Sequence, residues 1–282
     1  MRAGCLRIGD FEIEWLEGGR FSLDAGTMFG PVPKALWARR WAADDDNCIT
    51  LLNAPLLLRG PGVAALLDTG LGNKLTDKQK RIFRVRTEWD LPGELARRGL
   101  GREDITHVVL THCDFDHAGG VVMAAGDGGT ELTFPRARHV VQSAEWEDVL
   151  APTERSGSSY WADNFTGLAE SGRLELLDGA RALAPGITVF PTGGHTRGHQ
   201  GVEVRSRGQV AVHLADLLPT HVHWNPLWVT AYDNFPLEAI ERKRELEGRY
   251  AAERAWFTFY HDPFCLACRF DPEGNILDRI EA

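Results

Sequence analysis

The stretch THCDFDHAGG, residues 111–120, packs four potential metal ligands into six residues, directly after the apolar run ITHVVL at 105–110. In an extended segment alternate residues face one side, so His112, Asp114 and Asp116 can converge while Cys113 and Phe115 point away. His117 joins them from the start of the following helix. The stretch also has a plainer reading, a solvated turn whose Asp114 and Asp116 only cap free helix amides. Three further candidates close apolar strands: His195 in PTGGHTRGHQ, Asp216 in VAVHLADLLPT and His261 in WFTFYHDP. Strand ends on one edge of a sheet core are where distant parts of a chain meet to build a site. Taken singly, a histidine there is more often hydrogen-bonded structure; beside the six-residue cluster the balance turns toward ligands.

Outward from this stretch, strands and helices alternate in both halves, which argues for two sheets covered by helices. Short strands are expected at FEIEWLEGG, CITLLNAPLLLRG and GVAALLDTG, each ended by glycine-rich turns. LPGELARRGL reads as a helix, DHAGGVVMAA as the helix opened by the cluster, then ARHVVQS as a strand and AEWEDVL as a helix. A second strand series follows at RLELLDG, GITVFPTGG, QGVEVRSR and QVAVHLAD, then a charged helix from PLEAIERKRELEGRYAAERAW and a strand WFTFYH. Residues 20–46 and 72–92 mix aromatics with charge, and are expected to be loop or helix insertions of the kind that cover a site. With no low-complexity linker, residues 1–282 read as one domain.

Composition narrows the function. The 282 residues are 43% hydrophobic, enough for a buried core, and 31 Lys+Arg against 40 Asp+Glu give a formal charge of -9. That charge argues against nucleic acid as the partner. No run approaches the length of a membrane span and the N-terminus lacks an apolar secretory core, so a soluble cytoplasmic protein is expected. The five cysteines have no framework spacing; Cys265 and Cys268 form a lone C-x-x-C and read as packing thiols near a strand.

The cluster resembles the H-x-H-x-D-H signature of the metallo-β-lactamase superfamily, with Asp114 where the second histidine usually stands. LLDTG at 66–70, GGHTRGH, HLAD and YHDP resemble the superfamily's other motifs in the expected order, so the likeness covers about residues 60–265. It implies a four-layer αββα sandwich. THCDFDHAGG, GGHTRGHQ and ADLLPT resemble most the branch containing N-acyl homoserine lactonases. Carried over residue by residue, the resemblance puts His112, Asp114 and His195 on one metal ion, and Asp116, His117 and His261 on the other. Asp216 would bridge them, and Asp68 would orient a ligand without binding metal. Two such divalent ions share a water, lower its pKa and present hydroxide to an electrophilic carbon or phosphorus. Zinc is expected, and three carboxylates also make iron or manganese plausible.

Asp116 and His223 are the expected catalytic residues, His223 as a proton donor beside His221 in PTHVHW. Lactonases of this branch carry a tyrosine three residues after the bridging aspartate; here Pro219 stands there, which leaves Tyr232 or a loop histidine to substitute. His199 is expected to brace a loop, and His107, His139 and His213 to be structural. The leading expectation is hydrolysis of a small ester or lactone, with Phe29, Trp37, Phe83 and Trp89 as an apolar cover; those aromatics would equally suit a homodimer interface. The alternatives are a phosphoester or phosphotriester hydrolase, and a non-catalytic sensor that keeps the fold.

Overall fold

The structure, a computed structural model, describes residues 4–126 and 128–282. Two seven-stranded sheets form its centre. The first runs, in spatial order, Cys5–Ile8, Phe11–Trp15, Leu56–Gly60, Val63–Leu67, His107–Val109, Arg138–Gln142 and Leu174–Leu177. The second runs Arg181–Ala184, Ile187–Pro191, Gln200–Ser206, Gln209–His213, Trp256–Thr258, Cys265–Phe270 and Ile276–Glu281.

Period-two alternation explains why the sheets stack. Leu56, Leu58, Val109 and Val140 from the first sheet meet Val189, Val202, Val204 and Ala211 from the second in one buried cluster. The intervening residues face outward: Leu57, Leu66, Val108 and Val141 pack under Leu91, Leu95 and Trp146 of the covering helices. On the far side Val212, Phe257 and Cys268 pack under Leu246 and Tyr250 of the helix Pro236–Ala252. Each fully buried Leu or Val contributes about 1.5–3 kcal/mol, so sheets apolar on both faces need helices on both outer sides. The result is the expected αββα sandwich.

Four strands of the first sheet, Val63–Leu67, His107–Val109, Arg138–Gln142 and Leu174–Leu177, are parallel. Gln209–His213 and Trp256–Thr258 form a parallel pair in the second. Parallel strands send their C-terminal ends to one edge, and at these ends stand Asp68, the 111–118 segment, Asp216 and His261.

The structure corrects the expected elements in three places. Residues 20–46 are not purely an insertion of loops and helices: Arg20–Asp24 is a strand paired with Cys48–Leu52, ahead of the short helices Ala25–Phe29 and Lys34–Trp37. Their aromatics are interior, with Phe21, Phe29, Trp37 and Trp41 in one buried cluster. DHAGGVVMAA is not one helix; the helix Phe115–Ala118 stops and Val122–Ala124 is a strand. The break lies at Gly119 and Gly120, where an added Cβ would come within 2.2 Å of the Leu71 carbonyl and 2.4 Å of the Thr69 carbonyl. Beyond WFTFYH the chain adds two more strands, Cys265–Phe270 and Ile276–Glu281, and Cys265 and Cys268 are buried in the first of them. Among the described residues no helix is long and apolar enough to cross a membrane.

Candidate metal centre

Short, tight segments place the ligand candidates. Asp114 stands at the N-terminal boundary of the helix Phe115–Ala118, which carries Asp116 and His117. Asp216 sits in the 3-10 turn Ala215–Leu217, which Ala215 enters at φ +41. His195 lies in the loop after Ile187–Pro191, and His261 follows Trp256–Thr258.

All seven candidates come together. One ligand atom each from His112, Asp114 and His195 lie within 4.8 Å of one another; the same holds for Asp116, His117 and His261, and for His112, His117 and Asp216. The Asp216 carboxylate spans the groups, with Oδ1 at 3.2 Å from both His117 Nε2 and His261 Nε2, and Oδ2 at 3.6 Å from His195 Nε2. Asp114 Oδ2 is 3.7 Å from His112 Nε2 and 3.6 Å from His195 Nε2.

The tautomers make these residues fit cations. Each histidine has an acceptor for its Nδ1 proton: Thr111 Oγ1 for His112 at 3.1 Å, Asp68 Oδ2 for His117 at 2.9 Å, Asp233 Oδ1 for His195 at 2.8 Å, and the Leu52 carbonyl for His261 at 2.7 Å. Every Nε2 is then left with a lone pair facing the centre. His117 Nε2 and His261 Nε2 lie only 3.1 Å apart, so their two lone pairs would repel without a proton or a metal ion between them. His112 Nε2, His195 Nε2 and Asp216 Oδ1 are buried without a hydrogen-bond partner. Each such orphan costs about 1–3 kcal/mol, and three around one space are what a bound cation offsets.

Electrostatics agree. Burial, with the neighbouring His117 and His195, pushes His112 well below the usual imidazole range. Burial alone would do the same to His117 and His195. Instead Asp216, Asp116 and Asp68 hold His117 well above the range, and Asp114, Asp233 and Asp216 do so for His195. The carboxylates thus place a strongly negative field where positive charge is wanted.

Buried partners around the ligand candidates fix them. Asp68, at φ +61, accepts from Thr111 N and Thr111 Oγ1, both at 2.7 Å, besides His117. Glu145 is fully buried and ties two ligand loops together. It accepts from Cys113 N and Tyr160 Oη at 2.8 Å through Oε1, and from Thr196 Oγ1 at 2.6 Å and Gly198 N at 3.2 Å through Oε2. Tyr260 donates to the Asp116 carbonyl at 2.8 Å and stacks on the His117 ring. His199 braces its loop through Thr192 Oγ1 at 2.5 Å. Asp68 and His199 stand as sequence reading expects. Asp233, Glu145 and Tyr260 were missed.

A cavity of about 300 Å³ opens over Asp114, Asp116, His195, Asp216 and His261. Phe83 and Tyr232 line it, as do Phe21, Met28 and Phe115, which sequence reading did not single out. Phe29, Trp37 and Trp89 do not reach it: the first two stack on each other, and Trp89 donates its indole N–H to the Thr69 carbonyl. Nor is His223 brought to the cavity. It is buried, bonded through Nδ1 to Thr220 Oγ1 at 2.7 Å and through Nε2 to the Met28 carbonyl at 3.0 Å, and stacked on Phe29. Both nitrogens are committed and burial lowers its pKa to about 3, so it has no proton to offer substrate. His221 also faces elsewhere, with Nδ1 2.5 Å from Asp262 Oδ2.

Comparison with known proteins bears on this geometry. A solved structure from Staphylococcus aureus, described as a probable metal-dependent hydrolase, superposes with a TM-score of 0.93 at 38% identity, covering 98% of this chain and 99% of that one. A dizinc quorum-quenching lactonase, AidC, superposes at 0.78 with 22% identity over 95% of this chain and 92% of its own, a likeness of fold alone. Among curated proteins, a probable metallo-hydrolase of Mycobacterium bovis is 30% identical over 193 residues, 60% of this chain; the match spans only 57% of that relative's length. An N-acyl homoserine lactonase from a Bacillus species is 24% identical over 212 residues, 74% of this chain and 76% of the relative. The model of the metallo-beta-lactamase superfamily matches residues 53–253, from just ahead of the strand Leu56–Gly60 through the end of the helix Pro236–Ala252. The chain therefore belongs to the metallo-beta-lactamase superfamily.

Proposed function

We propose that the protein hydrolyses a small ester or lactone at a centre of two divalent ions, zinc first among them. His112, Asp114 and His195 would hold one ion, Asp116, His117 and His261 the other, and Asp216 both. The observation that carries this reading is the four inward Nε2 atoms gathered around the Asp216 carboxylate, with His195, His261 and Asp216 themselves lining one cavity. Ions bound there supply an acidified shared water and polarise the oxygen that gains charge.

The chain's own residues do the rest. Asp116 lines the cavity and has a second role, taking the proton of the attacking water and passing it to Tyr232 once the tyrosine has protonated the leaving oxygen. Tyr232 lines the cavity and is the donor for the leaving oxygen, to which its hydroxyl turns from the 2.5 Å hydrogen bond that it makes with Thr27 Oγ1. Burial raises its pKa, so the phenol stays protonated at neutral pH. Phe21, Met28, Phe83 and Phe115 form an apolar wall for the uncharged part of the substrate.

Elemental analysis of the purified protein, followed by a screen of lactones, aryl esters and phosphotriesters against a metal-depleted control, tests the proposal. Two equivalents of metal and metal-dependent turnover of esters or lactones are expected. Phosphotriesters turned over far more efficiently than any ester or lactone would overturn the substrate class while leaving the seven ligands in place.

A further inference from the structure

The cavity is lined by the apolar side chains of Phe21, Leu23, Met28, Leu51, Phe83 and Phe115 and also by Arg155. Arg155 is the one Lys or Arg among the described residues lining this cavity. Its guanidinium is fixed by neutral acceptors only: Nε donates to Asn234 Oδ1 at 2.8 Å, and Nη2 to the carbonyls of Ala231 at 2.6 Å and Asp233 at 2.8 Å. Among the described residues Nη1 donates to nothing and no carboxylate pairs with the group, although the chain carries 40 acidic residues against 31 basic ones. Arg197 of the neighbouring loop, by contrast, holds Glu147 and Asp148. A guanidinium held in place on two of its nitrogens, with its third nitrogen and its charge uncommitted, is a preorganised half of an anion site.

The charge at the floor sharpens this. With the proposed ions in place, three carboxylates and a shared hydroxide balance four positive charges, so the centre is near neutral and Arg155 sets the sign of the cavity. From these observations, and resting on the ester or lactone reading above, we infer that the substrate carries a carboxylate that Arg155 binds while the scissile acyl group lies over the ligand cluster. The substrate class is thus an acidic ester or lactone: a carboxylate at one end, an apolar stretch against Phe83 and Phe115, and the electrophilic carbonyl at the floor.

Arg155 also ties down the 231–234 segment, whose Asp233 orients His195. The test must therefore separate anion binding from bracing. A matched series of esters ending in a carboxylate, a neutral carboxamide and a quaternary ammonium is assayed on the metal-loaded protein and on Arg155→Met and Arg155→Lys. In the unmodified protein the carboxylate ester is favoured over the carboxamide by about tenfold in kcat/KM, mostly through KM, and the ammonium ester is the poorest. Arg155→Met abolishes that ranking, Arg155→Lys keeps part of it, and added salt weakens it. Equal kcat/KM for the three esters in the unmodified protein, or a proportional loss for all three in Arg155→Met, would overturn the inference and leave Arg155 as a brace. The corresponding non-hydrolysable amides, titrated calorimetrically, give the same ranking in Kd without turnover. Absent hydrolysis with the Kd ranking intact would thus count against the ester reading alone, whereas equal Kd values would count against the carboxylate.

Discussion

At the site edge Glu145 is completely buried and both its oxygens accept hydrogen bonds; on the helix Pro236–Ala252, Glu247 is nearly as buried and its Oε1 has no partner among the described residues. Burial pushes both carboxyls up. Thr196, Tyr160 and the Cys113 amide pull Glu145 back, while Glu247 has only the charges of Lys243 and Arg244 and rises to about 8. Four donors convert a buried carboxylate into a clamp that joins two ligand loops. Without donors, the same group is better protonated and contributes packing. The helix does carry one well-matched charge: Lys243 Nζ donates to the carbonyls of His223 at 2.6 Å, Trp228 at 2.8 Å and Asn225 at 3.3 Å.

The contrast is broken most severely at its centre. Asp216→Asn should lower kcat/KM by roughly 10³-fold or more and reduce metal content, because it removes the charge shared across the cluster. His223→Ala, by comparison, should cost less than about tenfold in kcat/KM and show itself in the thermal midpoint, since it removes a brace. Steady-state kinetics and elemental analysis of both variants check this; equal losses in activity would argue against a bridging Asp216. One layer out, Glu145→Ala and Asp68→Ala should each weaken metal binding about 10- to 100-fold, read by competition with a chromophoric chelator. Unchanged affinity in Glu145→Ala would mean that the loops hold their shape without the clamp.

On the helix the expected effects are on folding. Lys243→Met strands the carbonyls that its ammonium now serves and should cost about 3 kcal/mol in denaturant unfolding, with metal affinity little changed. The smallest effect is at Glu247. Its folded pKa lies above its unfolded value, so its contribution is present below about pH 4.5 and is lost as pH rises through about 8. Glu247→Gln should therefore raise the thermal midpoint by more at pH 8 than at pH 5. A gain that shrinks with rising pH would show that Glu247 stays ionised and is paired.

What could be read in advance follows the same division. The seven ligand candidates stand at strand ends, and four of them lie within six residues, so spacing and apolar flanks singled them out as candidates. Asp233 is 38 residues from His195, and Glu145 is 32 from Cys113; neither sits in a periodic pattern, and only the folded loops bring them close. The insertions misled for a related reason. RFSLDAGTMFGPVPKALWARRW alternates aromatics with charge and reads as exposed, yet Phe29 stacks between Trp37 and His223, contacts set by a residue nearly two hundred positions away. His223 was drawn toward catalysis by its nearness in sequence to Asp216, whereas its ring fills a slot under Met28.

The proposed ligands run from His112 on the first sheet's edge to His261 on the second's, so ions held among them would act as rivets closing a very long loop of chain. Loop closure of that length restricts the unfolded ensemble, and strand pairing within each sheet does nothing comparable between the sheets. Stripping the ions should then do more than stop turnover: the halves of the sandwich lose a shared fastening, and the 192–199 and 215–217 segments should be the first places that a protease cuts.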